Sequence, residues 1–134
     1  MANALYTKGK EKILRGQIDW ETDTIKVALI KNDYLQSLAT DEFYSDISAH
    51  VLGTPVTLTG ASVTGGFLDA ADISFASITA GSISEGVVIY KDTGTPTTSS
   101  LLAYIDVITG FPVTTNGNDV NVQWDNGAYK IFSL

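Results

Sequence analysis

The side chains that most often perform acid–base or nucleophilic chemistry are few in this chain. Its 134 residues include one histidine, His50, and no cysteine. A serine–histidine–aspartate arrangement would have to use His50, with Asp46 and Ser48 as its nearest partners along the chain. Nearness in sequence does not meet the spatial test that a triad demands. We interpret His50 as a loop or surface histidine, and we expect no catalytic residue and no enzyme activity.

Carboxylates occur in two close pairs, Asp41 with Glu42 and Asp69 with Asp72. A glycosidase places two acids roughly 5–10 Å apart across its substrate. A chain with 15 acidic residues, however, brings acids close together in sequence without any such purpose. We interpret both pairs as solvated acids or as acids at the start of a helix, where they interact favourably with the helix dipole.

Two glycine-containing stretches have the composition of ion-binding loops. Asn116-Gly117-Asn118-Asp119 is rich in oxygen ligands, but it lacks the alternating ligands and the closing glutamate of an EF-hand. Gly65-Gly66 is not followed by the lysine and helix of a phosphate-binding loop. The absence of cysteine excludes thiolate metal sites and disulfides. We therefore expect turns at both stretches, with no metal and no cofactor.

The charge of the chain restricts its partners. A formal net charge of -7 opposes binding to phosphate backbones, so we expect no nucleic-acid partner. No stretch approaches the ~20 apolar residues of a membrane span, and Met1 to Gly16 lacks the apolar core of a signal peptide, which predicts cytoplasmic synthesis and no membrane partner. No lysine or arginine occurs from Asn32 through Tyr90.

The N-terminal segment is predicted to be a basic helix. Ala4 to Arg15 has helical character, with Asn3 as its cap, Gly9 as a weak point and Gly16 as its end. Its cations are Lys8, Lys10, Lys12 and Arg15. They form either a solvated helix face or an arm that docks on an acidic neighbour, such as a second copy of the chain.

The remaining sequence is dominated by strand signals. Ile25 to Lys31 is rich in β-branched residues and predicts a strand. Val87 to Tyr90 is a continuous apolar run, which predicts a central strand buried on both faces. Leu101 to Val107 predicts another strand, after a polar turn. Thr40 to Ala49 is interpreted as a short helix or an ordered loop.

The last segment has the pattern of a β-hairpin. Val120, Val122 and Trp124 alternate with polar residues. Asn126-Gly127 then predicts a tight turn into a final strand, Tyr129 to Leu134.

Short strands separated by glycine, proline, asparagine and aspartate turns predict a mainly β fold. We expect an antiparallel β-sandwich, similar to a jelly roll, with a short N-terminal helix packed outside it. With no repeat and no linker, the chain is predicted to be one domain over residues 1–134, with the helix in 1–16 and the sandwich in 17–134.

Several stretches spread over the chain carry a resemblance to a known family. They are Ile18-Asp19-Trp20, Asp23-Thr24-Ile25-Lys26-Val27, Val88-Ile89-Tyr90-Lys91-Asp92-Thr93-Gly94, Tyr104-Ile105-Asp106 and Trp124-Asp125-Asn126-Gly127. In these stretches, and over nearly its whole length, the sequence resembles small proteins that are widespread in tailed-bacteriophage genomes. The residue types themselves indicate turns, because Asp19, Asp23 and Asp92 can accept backbone N–H bonds where strands begin or end.

The resemblance implies a virion structural protein, made in the host cytoplasm. The size and the inferred sandwich are similar to those of head decoration or cement proteins, which bind the outside of the capsid lattice as oligomers and brace it. Its expected partners are the major capsid protein and further copies of itself. The alternative is a tail- or fibre-associated module that contacts a host glycan through Trp20, Trp124 or exposed tyrosines.

Two sets of residues are predicted to form the interface. Apolar residues would contribute cohesion through buried area, and the basic helix would contact an acidic surface. The candidates are Leu101, Leu102, Ile108, Phe111, Pro112 and Val113 together with Lys8, Lys10, Lys12 and Arg15.

Overall fold

The structure, a computed structural model, describes residues 4–124 and 131–133. Over these residues the chain is mainly antiparallel β with one short helix near the N-terminus, which confirms the predicted fold class and is compatible with a sandwich. The elements are β1 (Ala4–Leu5), α1 (Thr7–Leu14), β2 (Ile25–Lys31), two 3-10 turns (Tyr44–Asp46 and Ser48–His50), β3 (Val51–Thr57), β4 (Ser62–Thr64), β5 (Phe67–Asp69), β6 (Ile73–Phe75), β7 (Ile83–Lys91), β8 (Ser100–Ile105), β9 (Val113–Thr114), β10 (Val120–Val122) and β11 (Phe132–Ser133).

The main sheet has the strand order β1-β8-β7-β2-β3, and β9 pairs with the start of β7. Neighbouring strands are antiparallel throughout, with Ala28 of β2 opposite Val88 of β7. The predicted strands at Ile25 to Lys31 and Val87 to Tyr90 are confirmed, and both lie inside the sheet. The strand predicted at Leu101 to Val107 is also present, although it ends at Ile105.

The main sheet is buried on both faces, which explains the continuous apolar runs of its inner strands. Side chains point alternately to the two faces of a strand. Val27 and Leu29 therefore enter one core, while Ala28 and Ile30 enter the other. We call these the first core and the second core.

Two small sheets cover the first core. One is formed by β6 and β10, and the other by β4, β5 and β11. Phe75, Val122 and Trp124 from this layer are buried against Val87 and Ile89 of the main sheet. The layered arrangement of sheet on sheet is the sandwich that the sequence predicts.

The predicted C-terminal hairpin is wrong over the described residues. Its turn, Asn126-Gly127, lies outside them, as does Leu134. The flanking strands pair with other strands: Val120 of β10 lies opposite Phe75, and Phe132 of β11 lies opposite Leu68. Pairing the two strands with different partners lets both help to cover the first core, which a local hairpin alone would not achieve.

The second core is covered by α1 and by the segment from residue 34 to residue 50. Tyr6, Tyr34 and Ile47 are buried there against Leu101 and Tyr104 of β8. Within this segment, two 3-10 turns stand in place of the short helix predicted for Thr40 to Ala49, which agrees with the alternative of an ordered loop.

The N-terminal helix is shorter than predicted. Ala4 and Leu5 form β1, opposite Tyr104 and Ala103, so the predicted helical start at Ala4 is wrong. Pairing with the edge of β8 satisfies the backbone hydrogen-bonding groups of Ala4 and Leu5, so these residues form a strand and do not extend the helix. The predicted cap, Asn3, lies outside the described residues. The predicted end is confirmed, because Gly16 follows α1 with a φ of 72°.

Gly9 allows α1 to lie directly against the main sheet. A Cβ atom at this position would stand 2.6 Å from the carbonyl oxygen of Leu101 and 3.0 Å from the Cα of Leu102. Both of these are backbone atoms and cannot rotate away. The residue that weakens the helix in isolation is therefore the one that permits its packing.

Gly9→Ala is expected to lower the free energy of unfolding by about 1–3 kcal/mol, because the added methyl group overpacks the contact between α1 and β8. The same change in an exposed helix stabilises it by about 1 kcal/mol, so the sign is diagnostic. Urea denaturation measures the effect, with Lys10→Ala in the same helix as the control. A stabilised Gly9→Ala variant would contradict the close packing.

Candidate functional site

Three of the predicted interface residues belong to the interior. Leu101 and Leu102 are 0% exposed and Ile108 is 8% exposed. Leu102 and Ile108 lie in the first core and Leu101 in the second, because β8 is covered on both faces. Their prediction as intermolecular contacts is corrected, since these side chains already contact the chain itself.

The loop after β8 keeps part of its apolar surface. Phe111 and Val113 are half-buried against the first core, and Pro112 between them is exposed. Among the described residues, the most exposed large apolar side chains are others, Leu35 at 88% and Leu14 at 87%. Leu14 is not among the predicted interface residues, although it follows Lys10 by four residues and therefore lies on the same side of the helix.

Lys12 is bound within the protein. Its ammonium group lies 3.1 Å from Glu42 Oε1, donates to Ser100 Oγ at 2.9 Å and stands 4.2 Å from the centre of the Phe43 ring. Only 14% of the side chain is exposed. Lys12 thus links α1, the segment after residue 40 and β8, and it is not available to a partner.

The other cations of α1 face outward. Lys8 forms an exposed ion pair with Glu11 at 3.5 Å. Lys10 and Arg15 are exposed and form no ion pair within residues 4–124 and 131–133. We name Lys10 and Leu14 of α1, together with Arg15 directly after it, the α1 outer face, because they combine an exposed leucine with two cations that form no ion pair among the described residues.

Two buried tyrosines and one carboxylate form a polar network in the second core. The Tyr34 hydroxyl donates to Asp41 Oδ2 at 2.5 Å and lies 2.9 Å from the Tyr6 hydroxyl. Burial is the main cause that raises the pKa of both hydroxyls, and the bond to Asp41 raises the pKa of Tyr34 further. The hydroxyls therefore stay protonated at neutral pH and act as hydrogen-bond donors that attach the 34–41 segment to the sheet.

His50 is not part of a serine–histidine–aspartate arrangement. Its Nδ1 lies 2.8 Å from Asp33 Oδ1, and its ring packs against Tyr34 with centroids 5.5 Å apart. Asp46 instead accepts backbone N–H bonds from residues 42 and 43, and the Ser48 hydroxyl donates to a backbone carbonyl. The hydrogen bond from His50 lowers the pKa of Asp33.

The paired carboxylates have structural contacts. Asp41 and Glu42 bind Tyr34 and Lys12, respectively. Asp69 accepts a bond from the backbone N–H of residue 70, and Asp72 accepts one from the backbone N–H of residue 124. In the part of the chain that the structure describes, no three histidine, cysteine, aspartate or glutamate side chains group as metal ligands do.

The two tryptophans do not form an exposed platform. Trp124 is 4% exposed, and its indole N–H donates to the carbonyl oxygen of Ala71 at 3.0 Å. Trp20 is half-buried and packs edge-on against Phe132, with ring centroids 5.2 Å apart. The prediction that Trp124 contacts a glycan is corrected, because its ring is part of the first core.

Aspartates set the turns that the sequence predicts. Asp19 accepts backbone N–H bonds from residues 21 and 22, and Asp23 accepts one from residue 19. Asp92 accepts a bond from the Gly94 N–H at 3.0 Å and pairs with Lys26 at 2.9 Å. The pKa of Asp92 is lowered, first by the Lys26 bond and then by the Gly94 N–H.

The predicted turn at Asn116-Gly117-Asn118-Asp119 is also present. Asn116 Oδ1 accepts the Asn118 N–H at 3.0 Å, and Asp119 Oδ1 accepts the Ser77 N–H at 2.8 Å. The side-chain oxygens that a calcium ion would need therefore already accept hydrogen bonds. The bond from Ser77 also connects the turn to the segment before β7.

No helix within the described ranges is long and apolar enough to cross a membrane. Comparison with known proteins gives no family: no family model matches the chain, and no curated protein matches it. The resemblance to tailed-phage proteins therefore stays a prediction.

Lys12→Met is expected to lower the free energy of unfolding by about 1–3 kcal/mol, because the charge-assisted bonds to Glu42 and Ser100 are lost while the apolar stem is kept. Lys10→Met is the matched control and should change stability by less than about 0.5 kcal/mol. Urea denaturation of both variants measures the difference. Equal effects would contradict the distinct roles of the two lysines.

Asp92→Asn is expected to cost about 1 kcal/mol at neutral pH, because the ion pair with Lys26 is lost. A carboxyl group whose native pKa is depressed stabilises the fold above its unfolded value, 3.8, and loses that contribution as the pH falls through the native value. The stability difference between variant and wild type should therefore shrink below pH 3.8. Unfolding measured as a function of pH tests this, with Glu21→Gln as the exposed control; a pH-independent difference would contradict it.

Proposed function

We propose that the protein is a non-enzymatic structural protein of a tailed-bacteriophage virion, a capsid decoration or cement protein. It binds the outer surface of the major capsid protein together with further copies of itself and stabilises the shell. The sequence resemblance supports this proposal, and one structural observation carries it: the α1 outer face combines charge with exposed apolar surface, and its cations form no ion pair with the described residues.

The α1 outer face stands on a rigid element. Gly9 holds α1 against β8, and the bonds of Lys12 fix the last turn of the helix. Leu14 is 87% exposed on this fixed helix. A leucine of this kind gains about 1.5–3 kcal/mol when a partner buries it. A helix that is already held in place loses little backbone entropy on binding, so such a face suits docking to a repeated surface.

Charge favours an acidic partner for this face. Lys10 and Arg15 carry positive charge on a protein whose formal net charge is -7. A second copy offers acidic surface, because no lysine or arginine occurs from Asn32 through Tyr90. Attraction between the face and such a surface directs association and orientation. Contacts this small are sufficient on a capsid, where multivalent attachment multiplies weak interactions.

A tail- or fibre-associated binding module is the second candidate. It is favoured by a cleft that is lined by Tyr44 and Tyr90. In this case the protein would contact a host glycan through the cleft instead of through tryptophan rings.

The triple variant Lys10→Gln/Leu14→Ala/Arg15→Gln is expected to fold normally. Its copy number in phage particles is expected to be about tenfold lower than that of the wild type, since burial of one leucine alone accounts for that factor. Quantitative mass spectrometry of purified particles measures the copy number. Thr59→Glu/Thr79→Glu is the control, because it changes the net charge equally at two exposed positions.

Cryo-electron microscopy of the wild-type particle locates the protein. Density at icosahedrally repeated positions outside the major shell protein is the expected result. Density confined to the tail, or undiminished incorporation of the triple variant, would refute the proposed role of the α1 outer face.

A further inference from the structure

A cleft of about 180 Å³ lies at one end of the main sheet. Tyr90 of β7 and Lys26 of β2 stand opposite each other in the register and form its floor. The 3-10 turn at Tyr44–Asp46, the β3 residues Thr54 and Pro55, and the loop from Asp92 to Ser99 form its walls. The cleft shares no residue with the α1 outer face.

Two tyrosines give the cleft an aromatic side. The rings of Tyr44 and Tyr90 lie 4.8 Å apart and are inclined at 37°. Tyr44 is half-buried, whereas Tyr90 is only 4% exposed. The face of an aromatic ring is electron-rich and attracts weakly positive C–H groups. Pro55 and Pro96 add rigid apolar surface on the other walls.

The hydroxyl groups of these tyrosines are unused. Neither Tyr44 nor Tyr90 forms a hydrogen bond through its hydroxyl with any residue in the described ranges. Tyr34 and Tyr6, by contrast, bind each other and Asp41. Among the described residues, neither oxygen is a buried polar atom without a partner, so both hydroxyls stay in contact with solvent. The Tyr90 hydroxyl is thus a ready donor and acceptor for a molecule in the cleft.

The charges in the cleft cancel. Lys26 Nζ lies 2.9 Å from Asp92 Oδ2. Asp92 Oδ1 accepts a bond from the Gly94 N–H at 3.0 Å, which together with the Lys26 contact fixes the carboxylate in place. An anion would have to compete with Asp92 for Lys26, and a cation would have to compete with Lys26 for Asp92. The site therefore favours an uncharged ligand that donates and accepts hydrogen bonds.

We propose that this cleft binds one uncharged sugar ring, as the terminal unit of a surface glycan. A pyranose has C–H groups on its faces, which suit Tyr44 and the prolines, and hydroxyls around its edge, which suit Tyr90, Lys26 and Asp92. The volume of the cleft lies below the roughly 300 Å³ of a typical drug-sized pocket, which limits the ligand to about one ring. Binding of this kind is independent of capsid attachment through α1.

Nuclear magnetic resonance titration of the intact protein tests the proposal. The probes are the methyl glycosides of glucose, galactose, mannose and N-acetylglucosamine, followed by a glycan array that also carries sialylated sugars. At least one neutral glycoside is expected to cause saturable shifts confined to the amides around Tyr44, Tyr90 and the Asp92–Ser99 loop. Absence of saturable shifts with all four glycosides at millimolar concentration would overturn the proposal.

Variants separate binding from folding. Tyr90→Phe should weaken binding about two- to tenfold, the range for one neutral hydrogen bond, and should not lower stability, because the lost hydroxyl has no partner among the described residues. Tyr104→Phe is the matched control, since Tyr104 is equally buried but lies outside the cleft. Unchanged affinity of Tyr90→Phe, or array binding restricted to sialylated sugars, would refute the site.

Neither result depends on where the protein sits in a virion. Sugar binding that persists in the Lys10→Gln/Leu14→Ala/Arg15→Gln variant would support the cleft even if the capsid role failed. Loss of sugar binding in that variant, with the fold intact, would contradict the independence of the two sites.

Discussion

The fold depends on the burial of the main sheet on both faces. The inner strands β2 and β7 carry apolar side chains in both directions, so neither face can be left to water. Every other element has a place that follows from this constraint: β6, β10, β4, β5 and β11 cover one face, and α1 with the 34–50 segment covers the other. Burial of apolar surface is the main favourable contribution to folding, and here two layers on one sheet supply it.

Double burial also determines where function can reside. The side chains of β8 and of the central part of β7 are buried, which removes Leu101 and Leu102 from any interface. Recognition must use the covering elements or the ends of the strands. The α1 outer face lies on the solvent side of α1, the helix that helps to cover the second core. The cleft at Tyr44 and Tyr90 lies at one strand end, where the sheet and the covering segment separate.

Sequence reasoning succeeded where the signal is local and failed where it is not. The apolar run from Val87 to Tyr90 predicted a central strand because burial on both faces leaves no alternation, and the aspartate turns followed from side-chain chemistry. The partners of β10 and β11 could not be predicted, because strand pairing depends on long-range packing and the Asn126-Gly127 signal favoured a local hairpin. Tyr44 and Tyr90 meet only in three dimensions, and nothing in the spacing of 46 residues between them indicates a shared cleft.

The pairing of β1 with β8 has a consequence for synthesis. Ala4 lies opposite Tyr104, so the first strand of the sheet has no partner until about a hundred further residues have been made. At ribosomal rates this wait is on the order of ten seconds. During that time Gly9 cannot pack against β8, and Tyr6 is not yet buried in the second core. The α1 helix is made before β8 and reaches its final place only once β8 exists, which couples completion of the second core to the synthesis of β8.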